Sequence, residues 1–469
     1  MKNHFLKGLQ GKRSRRICAV ILAACMLFSA AGCSQETAGA QDQTGTESAV
    51  SDSAAGDGTE SAADSGTAVS EEAEASGEIT IWTKDEAISN YDEYLSEKLP
   101  DLKINYVVMD DSTIRTKLKA VMSSGATPPD VVLVEIGMWK ELMNLPMWED
   151  LSAAPFDAAG LLEEHYGYIQ ELSKNEEGTI VGLTNQATPA GYFYRRSIAT
   201  EVFGTDDPDE ISAMLTDWDS VMETGRTVYE KAGISLFPSI DDIIRIQSDI
   251  SPEPWIADGQ FIINENVTKA LELAKEADET HVAGRLEQWG PEWRENFNTA
   301  EYSMGLFSAT WLMAYDIKSG APETEGDWGF AKMIEDQFYG GSFFAVPLGA
   351  PNKEGAWEYI KTVTGDHDFL DFYSNEIGDF SSNQVFNEEL AKVKTSDSWW
   401  GGQNIIQTFN DVAADAEARA MYDYQGDAIY AVTEAAREYV YNGKTMEEAI
   451  QVIVDIMAAD VPDVEVIVE

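Results

Sequence analysis

Twelve tryptophans lie in this chain of 469 residues, all beyond residue 80, alongside 83 aspartates and glutamates. An indole offers a flat apolar face, and carboxylates accept hydrogen bonds from hydroxyls. Such residues at loop edges suit non-covalent capture of a polar ligand with flat C–H faces. Trp82 closes a short apolar run, and Lys84, Asp85 and Glu86 follow it. Asp85 is the candidate hydrogen-bonding group of this set. Glu135 stands directly after four apolar residues, Val131 to Val134, where a charge points out of a sheet end. Trp139 follows one helical turn later, as a ligand contact or as packing beneath it. Trp399-Trp400-Gly401-Gly402 sets two adjacent indoles on a loop, which predicts that at least one meets a ligand.

Catalytic constellations are missing from the sequence. It contains no Gly-x-Ser-x-Gly elbow, no phosphate-binding Gly-x-x-x-x-Gly-Lys loop and no His-Glu-x-x-His. The four histidines, His4, His165, His281 and His367, are far apart in the chain. No Asp-x-Asp-x-Asp-Gly pattern predicts a calcium loop, and neither metal nor cofactor is expected. The acids guarantee many chance carboxylate pairs, and nothing singles out a glycosidase pair. A non-enzymatic chain is expected. The formal charge of −51 disfavours nucleic acid and anionic lipid headgroups as partners.

These residues need a scaffold. Six Lys and Arg lie between Lys2 and Arg16, and an apolar run of about 15 residues follows from Ile17 to Ala31. That run is short for a membrane span, which needs about 20. Residues 1–32 therefore read as a secretion signal. Ala30-Ala31-Gly32-Cys33 resembles a lipobox, with Ala30 where Leu is usual, and predicts lipidation of Cys33. Ordinary secretion with cleavage near Ala31 is the alternative. Cys18 and Cys25 leave with the signal, so no disulfide is expected. Residues 33–77 are Ser, Thr, Gly, Ala, Asp and Glu with little else, which predicts a disordered acidic linker. From about Glu78 the pattern is strand (78–82), helix (87–99), strand (103–108), helix (113–123), strand (130–134), a parallel-sheet rhythm. Ligands gather beyond the C-terminal strand ends of such sheets, where Asp85 and Glu135 fall.

The ordered series of motifs resembles the extracellular solute-binding proteins of family 1, which serve ABC importers and mostly bind sugars. Its pieces are Ile79 to Trp82, Pro128 to Val132, Pro189 to Arg196, Thr216 to Asp219, Ala300 to Trp311, and Gly340 to Pro347 followed by Asn352 to Trp357. Arg195 and Ala309 stand where the family commonly has Asn and Gly. The resemblance implies an α/β, two-lobed periplasmic-binding-protein-like fold of type II. Each lobe would be a mainly parallel sheet flanked by helices, with the ligand cleft between them. Lobe one maps to 78–187 and 341–380, lobe two to 188–340 and 381–469. It adds Tyr192, Trp311, Gly341, Ser342 and Asp379 as expected ligand contacts. Trp289 and Trp293 are left unassigned and lean towards packing.

The expected function is capture of a carbohydrate, an oligosaccharide of two or more units, by hinge closure. The expected partner is a membrane permease, and the protein is expected to be a monomer tethered outside a single-membrane cell. The alternatives are a non-sugar solute, a surface adhesin and a glycoside hydrolase.

Overall fold

The computed structural model describes residues 76–418 and 421–469. The signal, Cys33 and nearly all of the linker lie outside them.

The first sheet runs as the sequence pattern predicts. β1 (Gly77–Thr83) pairs in parallel with β2 (Leu102–Val108) on one side and β3 (Val131–Glu135) on the other. β3 is apolar on both faces because it is central, and Val131 to Val134 are all buried. Asp130 anchors its start by accepting from the Thr80 and Asn352 backbone amides at 2.8 and 2.7 Å. The chain returns much later as β10 (Ser342–Ala345), antiparallel to β3, which completes the order β10-β3-β1-β2. The predicted 87–99 helix is broken in two. A 3₁₀ turn over Glu86–Tyr91, capped by Asp85, leads into an α-helix over Asp92–Lys98.

The second sheet departs from expectation. β4 (Pro189–Arg195) is its centre, flanked by β7 (Gly305–Ala309) and β8 (Trp328–Ala331), and met at its start by β9 (Gln337–Phe338). Every one of these pairings is antiparallel, so the expected mainly parallel sheet is corrected here. Strand direction is set by how long connections return to the sheet, which apolar patterning does not encode. A small third sheet joins β5 (Ile256–Ala257), β6 (Gln260–Ile263) and the C-terminal β11 (Glu465–Val468).

The apolar residues form two clusters, and the second sheet lies between them. Phe193, Leu306 and Phe330 belong to the larger cluster, which also holds the first sheet. Tyr192, Tyr194, Phe307 and Ala331 on the opposite face belong to the smaller one. Alternation along a strand produces this division directly. The tyrosine rings fit because their cross-strand neighbours are glycines. A Cβ on Gly305 would lie 2.7 Å from the Tyr192 ring, and one on Gly329 would lie 2.3 Å from the Tyr194 ring.

Candidate functional site

A cavity of about 790 Å³ lies where the first sheet's strand ends face the helices around the second sheet. One wall is built from the ends of β1 and β3. Thr83 is fully buried and ends β1, after which Lys84 and Asp85 turn into the cavity. Glu135 ends β3 and caps the helix Ile136–Met143, where its Oε2 accepts from the Gly137 amide at 2.7 Å. The positive end of that helix favours the carboxylate. Burial nevertheless pushes the Glu135 carboxyl up from its ordinary value, against the opposing pull of Lys84.

The opposite wall is aromatic. Trp311 follows β7 and is half-buried, with its Nε1 donating to the Tyr339 carbonyl at 2.9 Å. Trp289 lies 5.5 Å from Trp311 between ring centres, tilted by 31°, and is 42% exposed. Its φ of +69° is rare for a bulky residue, and such strain collects at functional sites. Tyr339 meets Trp311 edge-on, and the Arg245 guanidinium sits 4.1 Å over the Tyr339 ring. Tyr315 and Asp316 reach the cavity from a π-helical segment, Leu312–Ile317, a geometry frequent at functional sites.

Two crossing segments form the cavity's floor, Gln186 and Gly340-Gly341-Ser342. Gly340 and Gly341 have φ of +78° and +104°, which L-residues rarely adopt. A Cβ on Gly340 would also stand 3.1 Å from the Trp311 Nε1. The helix Gln425–Val440 closes another side. Its start meets the helix Ile136–Met143 at a pair of glycines, where a Cβ on Gly137 would lie 3.5 Å from the Gly426 Cα. Arg115 reinforces that approach, 3.3 Å from Asp427 and 3.5 Å from Glu141.

Asp85, Glu135, Trp311, Gly341 and Ser342 thus line one cavity, though they are spread over 258 positions. The other expected contacts lie elsewhere. Trp139 is fully buried, stacked on Phe343 at 5.1 Å with its Nε1 on the Leu172 carbonyl. Tyr192 is fully buried with its hydroxyl on the Leu236 carbonyl. Trp400 packs among Phe193, Phe330 and Phe409, and Trp399 lies against the same cluster. Trp82 is half-buried on the first sheet, with Lys117 Nζ 5.9 Å from its ring centre. Asp379 is buried and accepts from Tyr373 at 2.7 Å and from the Gln186 amide. It therefore positions a cavity residue without lining the cavity.

The sequence reading missed Trp289, Tyr315, Tyr339 and Arg245. Trp289 carried a signal, since Trp289-Gly290-Pro291 is turn chemistry that lifts an indole off a helix start. Arg245 and Tyr339 carried none, because 94 positions separate them.

Arg245 also holds a buried carboxylate. Its Nε donates to Asp249 Oδ2 at 2.7 Å, yet burial outweighs this pair and pushes the Asp249 carboxyl up to about 6. A raised acid favours the folded state most when protonated. Its contribution is full below the unfolded value of about 4 and is lost as pH rises through about 6. Asp249→Asn is therefore expected to flatten the acid side of the stability curve. Wild type should gain Tm relative to the variant on going from pH 7 to pH 4.5. Parallel melting curves for the two proteins would refute this reading.

Residues 91–399 match the family model described as bacterial extracellular solute-binding protein. No curated protein matches the chain in sequence. Among solved structures, an extracellular solute-binding protein of family 1 superposes with a TM-score of 0.65 at 19% identity, covering 81% of this chain and 99% of that one. The GacH receptor of Streptomyces glaucescens, solved unliganded and with acarbose, gives 0.63 at 15%, covering 83% and 100%. The galacto-N-biose/lacto-N-biose I-binding protein of a Bifidobacterium longum ABC transporter, solved with lacto-N-biose, gives 0.62 at 16%, covering 82% and 98%. At these identities the likeness speaks to the fold.

Proposed function

Because the chain belongs to the bacterial extracellular solute-binding proteins, we propose that the solute it captures is a carbohydrate of two or more units. Its role is capture and not turnover. The observation that carries the proposal is the cavity's two-sided chemistry. The indoles of Trp289 and Trp311 stand on one wall, and Glu135 and Gln186 offer hydrogen bonds from the others. Sugar rings present apolar C–H faces to stack and hydroxyls at their edges. A cavity of about 790 Å³ falls in the upper half of the usual ligand range of about 300–1,000 Å³, which favours more than one ring. The solved relatives named with acarbose and lacto-N-biose support the same class.

The fold would act as two lobes of the type II arrangement that close on the ligand. Gly340 and Gly341 at the crossing, and the glycine contact between Gly137 and Gly426, suit such a motion. The closed protein would deliver its ligand to the permease of an ABC importer. A lipid on Cys33 and the acidic linker would hold it within reach of that permease, as a monomer on the outer face of a single-membrane cell.

Isothermal calorimetry with a saccharide panel tests the ligand class, and binding of di- or trisaccharides is expected. Binding of free monosaccharides alone would sink the multi-unit version. A response confined to peptides or phosphate would sink the carbohydrate reading.

A further inference from the structure

The charges around the cavity are unequal in number. Among the described residues three cations line it, Lys84, Arg245 and Arg437, and each lies beside a carboxylate. Lys84 Nζ lies 2.9 Å from Asp111, Arg245 Nε 2.7 Å from Asp249, and Arg437 Nη2 2.7 Å from Asp241. Arg437 also pairs with Glu434, and Arg245 is covered on one face by the Tyr339 ring. Six carboxylates line the same space, Asp85, Glu135, Asp241, Glu287, Asp316 and Glu434; Asp241 and Glu434 share Arg437, and Asp316 lies 3.4 Å from Arg294, which leaves Asp85, Glu135 and Glu287 outside these ion pairs.

Glu135 matters most among them. Both oxygens of a carboxylate can accept, about four bonds in all. Among the described residues one hydrogen bond reaches it, from the Gly137 amide, and Lys84 pulls on it through space. A half-buried carboxylate with unspent acceptor capacity calls for donors from the ligand. Hydroxyls and ammonium groups are donors, whereas ionised carboxylate, sulfate and phosphate groups only accept. An anionic ligand would meet the excess negative field of a cavity in which carboxylates outnumber cations and each cation already lies beside a carboxylate.

We propose that this cavity selects its ligand by charge, taking neutral or amine-bearing saccharides and rejecting uronic, sulfated and phosphorylated ones, with Glu135 as the specificity-determining residue. The proposal rests on the carbohydrate reading above and adds a constraint to it. Its test uses matched probes: a neutral oligosaccharide that binds in the panel, its counterpart oxidised to a uronate at C6, and its 2-amino-2-deoxy counterpart. Each is titrated calorimetrically into the folded chain at pH 7.5.

The uronate is expected to bind at least tenfold more weakly than the neutral probe, and the amino sugar as tightly or more tightly. Glu135→Gln keeps an acceptor for the Gly137 amide and is expected to narrow the gap between uronate and neutral probe. Glu287→Gln removes charge from an exposed, solvent-screened position and is expected to narrow it less than Glu135→Gln does. Equal or tighter binding of the uronate by wild type would overturn charge selection. An unchanged gap in Glu135→Gln, with Glu287→Gln the more effective, would move the selectivity away from Glu135 and overturn its assignment. Failure of every saccharide, neutral ones included, would instead strike the carbohydrate reading.

Discussion

Replacing Trp311 with alanine is expected to weaken ligand binding by about 30- to 1,000-fold, or roughly 2–4 kcal/mol. Buried aromatic anchors dominate recognition because they remove a large apolar face from water at low entropic cost. Trp311 is well placed for this role. Its Nε1 is already bonded to the Tyr339 carbonyl, so the ring is held and needs no polar partner from a ligand. Trp289 leans on it at 5.5 Å, and Tyr339 braces it edge-on at 5.5 Å. The ring also packs against both apolar clusters, so alanine should cost some stability. Melting curves must therefore accompany the calorimetry. Trp289→Ala separates the two effects, because its indole is 42% exposed. It should lower affinity about tenfold with little change in Tm. Undiminished affinity in both variants would remove the aromatic wall from the binding site.

Trp139→Ala is expected to cost about 3–5 kcal/mol of stability. The indole is fully buried, lies parallel to Phe343 with 2° between planes, and donates to the Leu172 carbonyl at 2.6 Å. A Cβ on Gly182 would come within 2.5 Å of its ring, so packing around the indole is tight. Truncation would leave a cavity and an unpaired carbonyl together. Denaturant unfolding would measure the loss. Where enough folded variant survives, its ligand affinity should stay within a fewfold of wild type. A stable variant with abolished binding would return Trp139 to the role that its sequence position suggested.

Trp139 and Trp311 show how far a linear reading reaches. Both follow an apolar strand at a similar distance, after Val134 and Phe307. In sequence they look alike. Trp139 turns back under β10 and stacks on Phe343, whereas Trp311 faces the cavity. The difference depends on strand β10, which arrives some 200 residues later. Tyr192 and Trp400 follow the same logic, since each is buried by glycines or phenylalanines from distant strands. Glu135 was legible because its signal is local. A charge that ends a fully apolar strand sits at the end of the sheet, where Glu135 pairs with Ser342, the first residue of β10. Asp85 was read from the charged loop, Lys84 to Glu86, that follows β1.

What the sequence determined by itself is the chemistry that neighbouring residues settle among themselves. It established the strand–helix–strand opening, the carboxylates at the strand ends, the turn glycines and the family to which the motifs belong. Local propensity and burial alternation act over a few residues, so they can be read there. The tertiary structure decided the antiparallel second sheet, the division of the tryptophans between core and cavity, and the pairing of Lys84 with Asp111 and of Arg437 with Asp241. Those outcomes depend on contacts between residues tens to hundreds of positions apart. Arg245 over Tyr339 and Arg115 beside Asp427 exist only once the chain has crossed between its sheets.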